Sequence, residues 1–157
     1  MCCHSIPQTF ELVGRDIKTN DEVVKYGFVL RQWFVNGRMD SHSNPTTWCN
    51  SLGYRMPRVR DLTNAVCSGV FSGSWCQGAV GATPSASDNH YQRHIGAGFF
   101  TEWGYMRIYT DTGFFFRFTY LTSDATGSDQ FLVHSYIGDV VSLSVSGDSG
   151  SAFCTAP

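Results

Sequence analysis

The chain has 157 residues, with 42% hydrophobic residues, 15% charged residues and a formal net charge of -2 at pH 7. This length fits one domain with a core of its own, because about 100–200 residues per domain is usual. The charge balance excludes a basic surface for nucleic acid, and no apolar run approaches the ~20 residues that cross a bilayer. We therefore expect no nucleic acid partner and no direct insertion of this domain into a membrane.

Residues 1–22 are predicted to be an N-terminal segment, either a linker or the first strand of a domain that spans residues 23–157. Its few core candidates are Phe10, Leu12, Val13 and Ile17. The stretch 23–34 is rich in β-branched and aromatic residues and predicts a strand. Asn36-Gly37 then predicts a turn.

Two short helices are expected next. Ser43 or Asn44 can cap the first, Pro45 suits its first position, and Gly53 suits its end. Its inward face would carry Trp48, Cys49 and Leu52. The second helix is predicted over 59–66. Its inward residues would be Leu62, Ala65 and Val66, with Asp61 as a solvated charge.

Residues 67–98 are rich in Gly, Ser and Ala and show no clear periodicity, which is typical of a functional loop region. Residues 99–109 predict a turn into a strand, and Asp111-Thr112-Gly113 a hairpin-like turn. Strands are predicted over 115–123, 130–135, 140–145 and 151–154, with turns at 124–127, 137–139 and 147–150. Helices followed by an antiparallel meander indicate an α+β domain.

One spacing resembles a known family. Trp48-Cys49, Gly53, Met56-Pro57 and Leu62 follow the pattern W-C-x-x-x-G-x-x-L/M-P-x-x-x-x-L. This pattern resembles the signature of bacterial C-type-lectin-like domains, which form the tips of intimin/invasin-type adhesins. Further similar stretches, at 26–35, 94–104, 120–123 and 131–140, extend the resemblance over residues 23–155. The chain departs from many relatives at Leu121, where they carry Trp.

The resemblance implies a C-type-lectin-like fold on the bacterial cell surface. An outer-membrane β-barrel and immunoglobulin-like stalk domains would precede the chain and present it to a host receptor. The expected partner is a host cell-surface or secreted protein or glycoprotein. We also interpret Met1 as an addition and the chain as part of a larger protein.

Six cysteines in a small domain indicate an oxidising compartment. Sequence alone leaves fifteen pairings open. The resemblance implies a bridge from the first helix to the last strand, here Cys49 to Cys154. Cys67 and Cys76 bracket a short Gly/Ser loop and are a second candidate pair, the alternative being incidental buried thiols. Cys2 and Cys3 could pair with each other, join a preceding domain, or be residues left by expression.

The candidate ligand-binding residues are aromatic and cationic side chains in or after the loop region, because Trp, Tyr and Arg dominate interface hot spots. They are Trp75, Tyr91, Arg93, His94, Tyr105 and Arg107. Trp103, together with Phe99 and Phe100, is instead expected in the core beneath the loop.

Other chemistry is not expected. Gly147-Asp148-Ser149-Gly150-Ser151 matches the serine-protease nucleophile motif, but no His motif precedes it. Cys2-Cys3-His4, and His90 with His94, lack the spacing of a zinc site. Asp88 and Asn89 are too few oxygen ligands for calcium. We therefore expect no cofactor, no metal and no catalysis.

Three functions remain open. The first is a receptor-binding adhesin tip that recognises a host protein. The second is a carbohydrate-binding module that works by aromatic stacking without calcium. The third is a structural cap at the end of a stalk.

Overall fold

The structure is a computed structural model that describes residues 6–36, 44–112, 118–144 and 153–156. The chain separates into two compact units. One comprises residues 1–34 with Ala156, and the other residues 35–155 with Pro157. In the described residues no helix combines the length and the apolar character needed to cross a membrane.

The first unit is an antiparallel hairpin of β1 (Gln8–Arg15) and β2 (Glu22–Leu30). Phe10 lies opposite Phe28, and their stacked rings are 5.3 Å apart. The carboxylate of Asp16 accepts bonds from two backbone N–H groups in the connecting turn, which lowers its pKa. The pairing joins residues on both sides of the predicted boundary at 22/23.

Three of the core candidates in this hairpin are exposed: Leu12, Val13 and Ile17. The expectation that they form a core is therefore wrong. A two-stranded ribbon gives each strand one neighbour and cannot enclose a core of its own. The predicted strand also ends at Leu30, and β3 (Phe34–Asn36) begins after a break. The expected turn at Gly37 lies outside the described residues.

In the second unit, α1 (Pro45–Ser51) begins and ends as predicted. The side chain of Asn44 accepts bonds from two backbone N–H groups of the first turn, and Pro45 occupies the first helical position. Gly53 follows with a φ of +77°. Cys49 is fully buried, but Leu52 is exposed, because the helix ends one residue before it.

The second helix, α2 (Val59–Leu62), is half the predicted length. Thr63 is extended, and its hydroxyl donates to the carbonyl oxygen of Gly138 at 2.7 Å. This tertiary bond ends the helix. Asp61 is not a solvated charge, since it forms an ion pair with Arg55 and accepts from the backbone N–H of Arg58.

The final third is antiparallel sheet, as predicted. β4 (Thr119–Thr126), β5 (Asp129–His134) and β6 (Val140–Ser144) form one sheet in that order. β7 (Phe153–Thr155) pairs with β3 in a second sheet. Few short helices and antiparallel strands make this an α+β domain. The predicted turn at 147–150 and the protease-like motif lie outside the described residues.

Residues 99–103 form a helix, α3 (Phe99–Trp103), where the sequence predicted a turn into a strand. Phe100 is fully buried, with its ring 5.3 Å from that of Tyr120. Tyr120 in turn meets Phe153 edge to face at 5.0 Å. Trp103, expected in the core, is 51% exposed because it ends the helix on the outer side.

The described residues, which do not include Cys2 and Cys3, contain two disulfides, and both match the expected pairs. Cys49 is bonded to Cys154, which joins α1 to β7 across 105 residues. Both half-cystines are fully buried in one cluster with Met56, Leu121 and Leu132. Leu121, which departs from the family pattern, is thus a core residue. Cys67 is bonded to Cys76 across nine residues of the loop region.

Candidate functional site

The loop region 67–98 contains one 3₁₀ turn (Ser74–Cys76) and otherwise lacks helix and strand, as expected. Two buried asparagine side chains, Asn64 and Asn89, hold it in place. The amide nitrogen of Asn64 donates to the carbonyl oxygens of Pro84 and Gln92, while its oxygen accepts from the Gln92 N–H. Buried backbone groups need hydrogen-bond partners, which neighbouring strands supply in a sheet. In this loop the asparagine side chains supply them instead.

Asn89 does the same at the sheet. Its amide nitrogen donates to the carbonyl oxygens of Phe71 and Val140, and its oxygen accepts from the N–H of Val140. The loop is thereby attached to the start of β6. The chain that follows Asn89 leaves the sheet at a defined place, which positions the next candidate residues.

Tyr91 and Arg93 are the first of these. Tyr91 is held at both ends. Its backbone N–H donates to the carbonyl oxygen of Ile137, and its hydroxyl donates to the carbonyl oxygen of Tyr136 at 3.1 Å. The guanidinium of Arg93 donates to the carbonyl of Glu102 at 2.7 Å. Both side chains therefore fasten the loop to neighbouring segments.

Gly104 makes this arrangement possible. Its φ of +79° favours glycine, and a Cβ there would clash with the guanidinium of Arg93. The chain then turns so that Tyr105 lies beside Tyr136. Their rings meet edge to face, with centroids 4.8 Å apart.

A recess opens beside these two rings. It has a volume of about 480 Å³, and its lining is mostly apolar. The lining residues are Tyr105, Phe118, His134, Tyr136, Ile137 and Asp139. Arg107 lies over one of these lining rings, with its guanidinium carbon 5.5 Å from the centre of the Phe118 ring, within cation–π range.

The polar groups of the recess form a pair at the turn between β5 and β6. Nδ1 of His134 lies 2.8 Å from Oδ1 of Asp139, and the His134 N–H donates to the Asp139 carbonyl. Gly138, between them, has a φ of +72°, and a Cβ there would clash with the Tyr91 ring. The turn is thus packed against the loop region.

The candidate residues divide into two groups. Tyr91 and Tyr105 contact Tyr136, and Arg107 lies over the ring of Phe118. Arg93 binds the carbonyl oxygen of Glu102, so it acts as a support, as Tyr91 mainly does. No hydrogen bond or ring contact within the described ranges joins Trp75 or His94 to them. Trp75 is 46% exposed in the disulfide loop, where its ring covers Gly73. His94 is exposed, with Nδ1 against the carbonyl of Ile95.

Sequence reasoning missed Phe118, His134, Tyr136, Ile137 and Asp139. An available signal was the pair of large apolar residues at 136–137, directly before and in the predicted turn 137–139, where burial is not expected. Tyr136 is 60% exposed, so its ring is not there to fill a core.

Metal and catalytic chemistry find little support in the part of the chain that the structure describes. It contains no cluster of three His, Cys, Asp or Glu side chains that could hold a metal ion. A His–Asp pair serves hydrolysis when a nucleophile stands beside the imidazole. Among the described residues that line the recess there is no serine, threonine or cysteine.

Comparisons with protein families, with curated proteins and with solved structures find no match to this chain. Function must therefore follow from the chemistry of this surface. Half-exposed and exposed tyrosines, an arginine over a ring and a mostly apolar recess suit molecular recognition.

Proposed function

We propose that this chain is a non-catalytic receptor-binding tip domain of a bacterial outer-membrane adhesin, with a C-type-lectin-like fold of the intimin/invasin type. It binds a host cell-surface or secreted protein, which can be glycosylated. The observation that carries the proposal is the recess beside Tyr105 and Tyr136, where aromatic side chains face solvent.

The architecture supports this proposal. The bridge from Cys49 in α1 to Cys154 in β7 is the one that the resemblance implies. A long irregular segment between the second helix and the sheet also fits such a domain. Two disulfides in one small domain favour a location outside the cytoplasm, in agreement with display on the cell surface.

The energetics of recognition also favour this site. A few aromatic and arginine side chains supply most of the binding energy of protein interfaces, and each can contribute about 2 kcal/mol or more. Tyr105 and Tyr136 already hold each other in place, so binding orders few additional rotamers. The hydrogen bonds of Tyr91 and Arg93 hold together the segments that carry Tyr105 and Tyr136.

The test is binding of the labelled full chain to cultured epithelial cells and to immobilised serum proteins. The double variant Tyr105→Ala/Tyr136→Ala should weaken binding at least about tenfold, as the loss of a hot spot does. Tyr26→Ala is the matched control, because Tyr26 is an exposed tyrosine of the hairpin. Unchanged binding by the double variant would overturn the assignment of the site.

The carbohydrate-binding module is the second candidate, favoured by the solvent-facing ring of Tyr136. A sugar ring can pack on such a face without calcium. A glycan array probed with and without a chelator separates the two functions. Binding to a defined glycan that survives chelation, with no binding to deglycosylated host proteins, would replace the first proposal with this one.

A further inference from the structure

The recess presents an acceptor nitrogen of His134 among walls that are mostly apolar. The carboxylate of Asp139 accepts from Nδ1 of His134, which places the proton of the neutral imidazole on Nδ1. Nε2 then carries the lone pair. Within the described residues no group is bonded to this nitrogen, and the side chain of His134 is one-third exposed.

The chemistry of the lining limits which ligands the recess can hold. Tyr105, Phe118, Tyr136 and Ile137 supply them, and their exposed lining is mostly apolar. A sugar would bring hydroxyl groups around its whole edge, and each hydroxyl buried without a partner has a cost. An aromatic side chain instead buries a large apolar area and brings a single polar group.

We propose that this recess binds a tyrosine or tryptophan side chain of the protein partner, whose O–H or N–H donates to Nε2 of His134. The proposal rests on the proposed function, because it specifies what the partner places in the same site. Asp139 is a positioning residue, which holds the imidazole in the tautomer that accepts. The ligand ring packs against the rings of Tyr105, Tyr136 and Phe118.

The donor distinguishes this ligand from phenylalanine. A phenylalanine ring fills the same apolar space but leaves Nε2 without a partner. A net hydrogen bond is worth about 1 kcal/mol, which corresponds to about a fivefold difference in Kd. Selectivity for tyrosine or tryptophan over phenylalanine is therefore the property to measure.

The experiment is a nuclear magnetic resonance titration of the full chain, isotopically labelled, with three probes. These are N-acetyl-tyrosinamide, N-acetyl-phenylalaninamide and methyl β-glucoside. We expect saturable shifts of the His134, Tyr105 and Tyr136 ring signals with the tyrosine amide, at a Kd of about a millimolar, as for fragments of this size. The phenylalanine amide should bind about fivefold more weakly.

Variants of the histidine test the acceptor. His134→Leu should bind both amides with equal Kd, whereas His134→Gln, whose amide oxygen can accept, should keep part of the preference. His94→Leu is the matched control, an exposed histidine on a different turn. Equal affinity of the unmodified chain for both amides would overturn the proposal without any need of the variants.

Other outcomes are also decisive. Saturation of the recess by methyl β-glucoside but by neither amide would overturn the aromatic ligand and favour a sugar. Loss of host-protein binding in Tyr105→Ala/Tyr136→Ala, with no binding of the tyrosine amide, would overturn this inference and leave the proposed function intact. Tyrosine-selective binding without any host-protein binding would support the inference and overturn the adhesin assignment.

Discussion

The two disulfides join regions of opposite character. Cys49–Cys154 lies in the core, packed with Met56, Leu121 and Leu132, and ties the first helix to the last strand. Cys67–Cys76 closes nine residues of a loop whose Trp75 is exposed. One disulfide therefore fixes the long-range topology of the chain, and the other fixes the local conformation of a loop. Neither bridge lines the recess, so stability and recognition have separate supports.

The long bridge should have the largest effect on stability. The double variant Cys49→Ala/Cys154→Ala releases a loop of about a hundred residues, for which the chain-entropy model gives about 4.7 kcal/mol. Urea denaturation should show a fall of that order in the free energy of unfolding. A fall smaller than that of the short bridge would contradict the comparison.

Replacing Asn64, which anchors the loop region, by a charged residue should have the second largest effect on stability. Asn64→Asp removes both amide donors to the Pro84 and Gln92 carbonyls and buries a carboxylate in their place. Because unpaired buried groups cost about 1–3 kcal/mol each, we expect a loss of about 3 kcal/mol. Asn50→Asp, on the exposed face of α1, should change the free energy of unfolding by less than about 0.5 kcal/mol. Equal effects would show that Asn64 does not hold the loop.

The short bridge should have a smaller effect. Cys67→Ala/Cys76→Ala opens a loop of about ten residues, worth at most about 2.7 kcal/mol. Urea denaturation of the variant and of the unmodified chain should show this loss in the free energy of unfolding. The Kd for N-acetyl-tyrosinamide should stay unchanged, since neither cysteine lines the recess. A change of more than about threefold in that Kd would show that the two regions are coupled.

The smallest effect concerns the core beside the long bridge and becomes visible in alkali. Burial raises the pKa of Tyr120 to about 12. Between about pH 10 and 12 the unfolded chain loses this proton while the folded chain keeps it, so stability falls as the pH rises. Tyrosinate absorbance should show a late ionisation step, near pH 12, that belongs to Tyr120. In Tyr120→Phe this late step should be absent.

Local signals predicted local structure well. Asn44, Pro45 and Gly53 mark the ends of α1 because capping and helix-terminal φ angles depend on neighbouring residues alone. The end of α2 was not predictable in this way, since the bond from Thr63 to Gly138 spans 75 residues. The segment 99–103 is rich in aromatic residues, which favoured a strand, but burial of Phe100 beneath the loop selects a helix.

The same distinction applies to the site. Tyr105 and Arg107 were proposed from residue type alone, in the segment that follows the loop region. Tyr136 and His134 were not, because their place depends on the turn after β5 and its packing against Tyr91. His134 and Asp139 are only five residues apart in the sequence. Their place in the recess depends on Tyr105, which belongs to a distant part of the sequence. The proposed binding surface thus depends on three segments together.

The asparagine anchors have a consequence for how this domain can change. Because Asn64 and Asn89 provide so many of the loop's hydrogen bonds, its path depends little on the identity of the exposed residues between the anchors. Positions such as Val70 and Val80, which face solvent, can be replaced without loss of those bonds. The loop is therefore suited to diversification, for example in a combinatorial library built on this frame.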